Sequence, residues 1–307
     1  MIRYVLIIGL ISMLSGLAAC SNSQSQSSGN ALMSDPEFKE YWYTGKAELS
    51  RYDMQEIRYG EVRDGEAVLV FVTEDFLTDK QVKLESAKNG RETSSVLKLN
   101  FMKEFVTGIY KYNMMTSIFT PVDYQNRPRS LKVASSSQEW CGMTYFQLNL
   151  DGNNYEVKGH SYFESEGDYE TSVEAIWLED ELWTNIRLSP DLLPEGEIDI
   201  IPGAFSVRAT NSTWKTESVL AEKKSWEGEG FPGENLMSYS LDYKDRGRTL
   251  TIVYESEFPH KIAGWVQTRK VAGDTLTAKS VRTHSVNSAY WDQNANSDES
   301  LRDKLGL

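Results

Sequence analysis

From about residue 40 onward the apolar residues of this chain recur every second position, and turn-forming residues interrupt them every eight to fifteen residues. That period puts alternate side chains on opposite faces of a strand, and the spacing suits antiparallel hairpins rather than βαβ units. The clearest run is E-A-V-L-V-F-V-T at 66–73, after the turn residues Arg63-Asp64-Gly65. With Tyr59-Gly60-Glu61 ahead of it, 46–62 and 66–73 read as a hairpin. Leu97, Leu99 and Phe101 alternate with Lys98 and Asn100. Three further hairpins are predicted: 145–150 with 155–158 around Asp151–Asn154, 237–243 with 249–254 around Lys244–Arg248, and 264–270 with 275–283 around Val271–Asp274.

One stretch departs from this period. Val173 to Leu188 places Val173, Ile176, Trp177 and Trp183 near one face and predicts a single amphipathic helix, stopped at Ser189-Pro190. Its acids Glu179, Asp180 and Glu181 are expected on the solvent side. Residues 191–203 carry Pro194, Gly196, Pro202 and Gly203 and read as a loop or short edge segment. The expected fold is mainly β: a large curved antiparallel sheet (half-barrel, barrel or sandwich) with one covering helix, because sheets of ten or more strands must curl or fold over.

The amino terminus speaks to location. Arg3, an apolar run from Val5 to Leu14 and then Leu17-Ala18-Ala19-Cys20 have the layout of a signal peptide, too short to span a bilayer of about 30 Å. Leu-Ala-Ala-Cys resembles the bacterial lipobox. The resemblance implies cleavage before Cys20, its lipidation, and anchoring by the acyl chains. SNSQSQSSGN at 21–30 is uncharged and reads as a tether. The expected organisation is a signal peptide at 1–19, lipidated cysteine and tether at 20–34, one β-rich domain at 35–292, undivided or built of two packed halves, and a polar tail at 293–307, disordered or briefly helical. No acidic residue follows Cys20 closely, and Ser21 stands where an Asp would favour the inner membrane. The resemblance therefore implies the outer membrane, facing the periplasm. Loss of the signal removes one cation and no acid, taking the formal charge from −13 to −14. That field disfavours nucleic acid as a partner.

No zinc-protease, nucleophile-elbow, P-loop or dinucleotide motif is present. No cofactor or metal is expected. The only thiol besides Cys20 is Cys141. It would need a cation or imidazole beside it to react, and the 151–154 hairpin offers His160 as partner; the alternative is a buried apolar cysteine. Glu164, Glu166, Asp168 and Glu170 alternate beside Gly167 without the spacing of a calcium loop, and read as a solvated turn. The chain has 35 aromatic residues. Most are expected in the core, the rest lining a cavity.

Several stretches together, Tyr59-Gly60-Glu61 with Gly65-Glu66-Ala67, Met114–Ser117, Ser136–Gly142, Leu182-Trp183 and Tyr254–Trp265, resemble a family of Bacteroidetes lipoproteins of about this length, often labelled septum formation inhibitor Maf. Maf proteins proper are cytoplasmic α/β pyrophosphatases without a lipobox, and their motifs are not found here. Gly65-Glu66-Ala67 and Tyr254…Phe258–Ile262 are also similar to DUF3108-like periplasmic proteins, which implies a half-barrel of the lipoprotein-carrier kind around an apolar cavity. Asp274-Thr275-Leu276 is similar to the Bacteroidetes O-glycosylation pattern, implying modification of Thr275. Three functions follow as expectations: a non-enzymatic lipoprotein binding a lipid or other apolar ligand in a β-sheet cavity; a structural or assembly factor of an envelope complex; and a hydrolase using Cys141 or acidic residues.

Overall fold

The computed structural model describes residues 32, 34–86, 90–124 and 126–307. Cys20 and the expected signal peptide lie outside them. A short helix, α1 (Pro36–Trp42), opens with Asp35 capping the Glu37 N–H and Pro36 in the first turn, an arrangement that suits a helix start. The first half of the sheet is β1 (Ala47–Arg58), β2 (Glu61–Leu77), the two-residue β3 (Val82–Lys83), β4 (Thr93–Thr107), β5 (Tyr110–Pro121), β6 (Lys132–Glu139), β7 (Gly142–Asp151), β8 (Asn154–Ser161) and β9 (Tyr169–Glu174). Then follow β10 (Trp177–Leu178), helix α2 (Glu179–Leu188), β11 (Gly196–Ile201), helix α3 (Ala204–Thr210), β12 (Glu217–Ser225), β13 (Leu236–Tyr243), β14 (Arg248–Glu255), β15 (Ile262–Val271) and β16 (Asp274–Ser288).

These form one curved sheet of 16 strands, antiparallel except where β10 runs parallel to β11. Neighbours in the sheet are neighbours in the chain, β3 aside, with one long-range join: β16 pairs antiparallel with β1, Ala47 opposite Ser288. The sheet therefore curls round in chain order and is open between β9 and β10. Two residues separate these edge strands. Trp214 Nε1 donates to the Tyr169 hydroxyl across 2.8 Å, tying the segment after α3 to edge strand β9.

The concave face is filled. Leu69, Phe71, Leu97, Leu99 and Phe101 point inward from β2 and β4, and α2 lies among them with all ten residues buried. Phe101, Trp183 and Trp265 meet edge to face with centroids 5.0–5.3 Å apart, a geometry favoured by the ring quadrupoles. Phe38 and Trp42 of α1 complete the same core.

Three expectations are corrected. The first hairpin turns at Tyr59-Gly60, and β2 runs straight through Arg63-Asp64-Gly65. Gly65 serves a different purpose: a Cβ there would lie 2.2 Å from the Glu104 carbonyl oxygen, so the residue permits close approach of two strands. The helix starts at Glu179, not Val173, because Tyr169–Glu174 hydrogen-bonds to β8 as an edge strand. The acids of α2 are not on a solvated face. Glu179, Asp180 and Glu181 are buried, since the sheet curls around the whole helix and leaves it no wet side. By contrast, the polar tail is helical: Asn296–Leu305 forms a 3-10 helix lying on the outside of the sheet.

Candidate functional site

A helix carrying four ionisable side chains into an apolar interior must neutralise them. Arg187, fully buried, donates both terminal nitrogens to Glu48 at 2.6 Å, and its Nε donates to the Pro259 carbonyl oxygen at 2.9 Å. The Tyr41 hydroxyl donates to the same Glu48 carboxylate. Arg248 grips Glu179 in the same bidentate way at 2.5 and 2.6 Å, and the Tyr243 hydroxyl adds a third bond at 2.6 Å. Burial acts to raise the Glu48 and Glu179 carboxyls, but Arg187 and Arg248 outweigh it and hold both below the usual carboxylate range.

The other two acids are less well met. Asp180 accepts the Ala204 N–H at 2.9 Å. Glu181 accepts the N–H groups of Ser130 at 2.8 Å and Leu178 at 3.2 Å, with Arg129 3.6 Å away. Burial pushes both carboxyls up to about 7. Two spaces along this interior measure about 30 and 10 Å³. Those hold a water or two.

A larger space lies outside. On the convex face Leu49, Val68, Val70, Met102 and Val286 alternate with the inward residues of β1, β2, β4 and β16, and would leave an apolar stripe in water. The C-terminal helix covers part of it: Leu305 is buried on Leu49, Val70 and Val72, with Leu307 beside it. Burying one such leucine contributes about 2 kcal/mol. The cover is incomplete. Between sheet and helix remains a groove of about 790 Å³, with Leu301, Leu305 and Leu307 on its helix side. Lys46, Arg302 and Lys304 also line it, all exposed. Of the acids there, Glu66 lies 3.6 Å from Arg51, Glu104 pairs with Lys111, and Asp298 accepts the Ala295 N–H at 3.0 Å. The three cations have no ion-pair partner among the described residues.

A second concavity, about 360 Å³, sits beside the open edge of the sheet between β7, β8, β9 and the segment after α3, floored by Phe146, Tyr169 and Trp214. His160 is on its rim, 3.4 Å from Asp168. Glu166, from the acidic run, is bound by Arg208 at 3.2 Å and by the Ser161 hydroxyl at 2.6 Å. Among the described residues no three His, Cys, Asp or Glu side chains group as metal ligands would.

Cys141 is exposed at the turn between β6 and β7, not buried. The Glu139 carboxylate accepts its backbone N–H at 2.6 Å and pushes its thiol up, the opposite of what activation requires. Among the described residues no hydrogen bond joins Cys141 to His160, which stands opposite Tyr145 on β8 with Asp168 as its ionic partner. The sequence thus suggested a thiol–imidazole pair that the structure does not bring together. Thr275 is exposed at the start of β16. Missed altogether were Lys46, Arg302 and Lys304. The available signal was Leu301, Leu305 and Leu307, apolar residues spaced through a tail read only as polar.

No protein-family model matches the chain, and no curated protein matches it. Among solved structures it is similar to a β-barrel-like protein of the domain of unknown function DUF1849 from Brucella abortus, at 8% identity and a TM-score of 0.45, over 78% of this chain and 97% of that one. No helix among the described residues is long and apolar enough to cross a membrane.

Proposed function

We propose that this is a lipid-anchored protein of the cell envelope, without catalytic activity, that holds an apolar ligand in the groove between the outer face of its sheet and its C-terminal helix. The groove carries the reading: about 790 Å³ lies within the range of ligand sites, and its floor is a row of aliphatic side chains. The large apolar cluster packed inside the curl favours a site on its outer face. The reading of an anchor rests on Leu17-Ala18-Ala19-Cys20 and the uncharged stretch after it, and Ser21 next to the cysteine supports an outer-membrane location facing the periplasm. Labelled palmitate should enter the wild-type protein and not Cys20→Ser; equal labelling removes the anchor. Parinaric acid should gain fluorescence with wild type and lose most of that gain with Val68→Trp, whose indole fills the groove. An unchanged signal in the variant removes the site.

A second reading, docking on an envelope protein complex, is favoured by one feature. Every other connection of the β1–β9 meander falls at the same end of the curl, opposite α1. Those connections and the strand ends beside them expose Tyr59, Ile109, Trp140, Met143 and Tyr162, with Ile109 84% and Tyr162 74% accessible. Such a cluster on separate tips suits a partner surface. A photocrosslinker at Ile109 should yield one defined adduct in the host; none would dismiss this reading.

A further inference from the structure

We infer that the groove under the C-terminal helix selects an amphiphile with an anionic head, such as a single-chain lipid bearing a phosphodiester. This rests on the proposal that the groove holds an apolar ligand, and it adds the chemistry of the head. The chain carries 45 acidic and 32 basic side chains, so three cations lining one apolar groove run against its overall charge. At this groove Lys46, Arg302 and Lys304 line the cavity without ion-pair partners among the described residues, while the lining acids Glu66, Glu104 and Asp298 are each engaged by the protein. The cations come from separate parts of the chain, Lys46 just before β1 and Arg302 and Lys304 on the C-terminal helix.

Their placement matches the shape of such a molecule. The aliphatic floor along β1, β2, β4 and β16 takes a hydrocarbon tail. Exposed cations attract an anion modestly, most at low salt, and Arg302 adds a planar fork that matches phosphate oxygens. A long carboxylate would be held by the same charges without the forked contact. A neutral head would gain only the tail contacts, and a zwitterionic one would offset the attraction of its phosphate by the repulsion of its own cation. The negative field of the whole protein would weaken anion binding at long range, so the local cations must act at short range against it.

The full mature chain, lipidated or with Cys20→Ser, is titrated by calorimetry below micellar concentration. Palmitoyl lysophosphatidylglycerol and palmitoyl lysophosphatidylcholine share a tail and differ in net charge. The anionic lipid should bind about tenfold tighter in 20 mM salt, three cations together contributing on the order of 1.4 kcal/mol. The triple variant Lys46→Gln, Arg302→Gln, Lys304→Gln should bind both lipids with the weaker affinity and keep the wild-type thermal midpoint. Equal affinities in the wild type, or a preference that survives in the triple variant, overturn the head-group inference and leave the apolar site standing. Binding of neither lipid overturns the groove as a site and this inference with it.

Discussion

Asp180 offers a sharp test of how α2 is tolerated inside the sheet. Its carboxyl rises from 3.8 to about 7 on folding, with burial as the first cause and Glu179 adding to it. A raised acid binds its proton more tightly in the folded state, so it costs nothing below the unfolded value and its full cost is reached above the folded one. At roughly 1.4 kcal/mol per pH unit that cost is about 4 kcal/mol at pH 8. The substitution Asp180→Asn removes the titration while an amide oxygen still accepts the Ala204 N–H. Urea unfolding of both proteins at pH 5 and pH 8 cancels the contribution of every other group, Glu181 included. Between these pH values the variant should gain about 3 kcal/mol relative to wild type, and at pH 8 it should be the more stable of the two. A difference that stays constant with pH would show that Asp180 is not a buried, unpaired acid.

Other consequences of the buried charges and close contacts are as direct. Arg187→Met should cost about 3–5 kcal/mol by stranding Glu48, and adding Glu48→Gln should restore most of the loss, both read from urea midpoints. Because the Glu48 and Glu179 carboxyls are lowered in the folded state, their contribution is present above the ordinary carboxylate pKa and should vanish as pH falls through the folded value, which acid titration of near-ultraviolet dichroism would follow. Gly65→Ala should destabilise by about 1–3 kcal/mol because its Cβ meets backbone rather than a movable side chain. Iodoacetamide should modify Cys141 more slowly than an unfolded cysteine, and Glu139→Gln should speed the reaction.

Hairpin periodicity carried most of the fold, because alternation is a local property that survives in any antiparallel sheet. The predicted 145–158, 237–254 and 264–283 hairpins all form, with turns where the Gly- and Asn-containing segments stand. Curling could be expected from strand number, but the closing pair β16–β1 joins residues some 240 apart in the chain and leaves no local mark. The α2 acids misled for a related reason. A charged triplet on a helix ordinarily means solvent, and only the positions of Arg248 and Arg129 on other strands and loops reveal that the charges are met inside. The predicted helix extends too far at 173–178 because Val173, Ile176 and Trp177 have the i, i+3, i+4 spacing of a helix, while the β8 partner that holds Tyr169–Glu174 as a strand leaves no local mark. The groove needed three dimensions as well: its floor is the outward half of strands whose inward half already explained their apolar character, and its cover comes from the far end of the chain.

Native mass spectrometry of the protein released gently from its own host's envelope bears most directly on the groove. The wild type should carry a non-covalent addition of one small amphiphile that Val68→Trp lacks, with the anchor mass equal in both. Bare polypeptide in the two preparations, or an addition that persists in the filled variant, would contradict a ligand held between the sheet and the C-terminal helix.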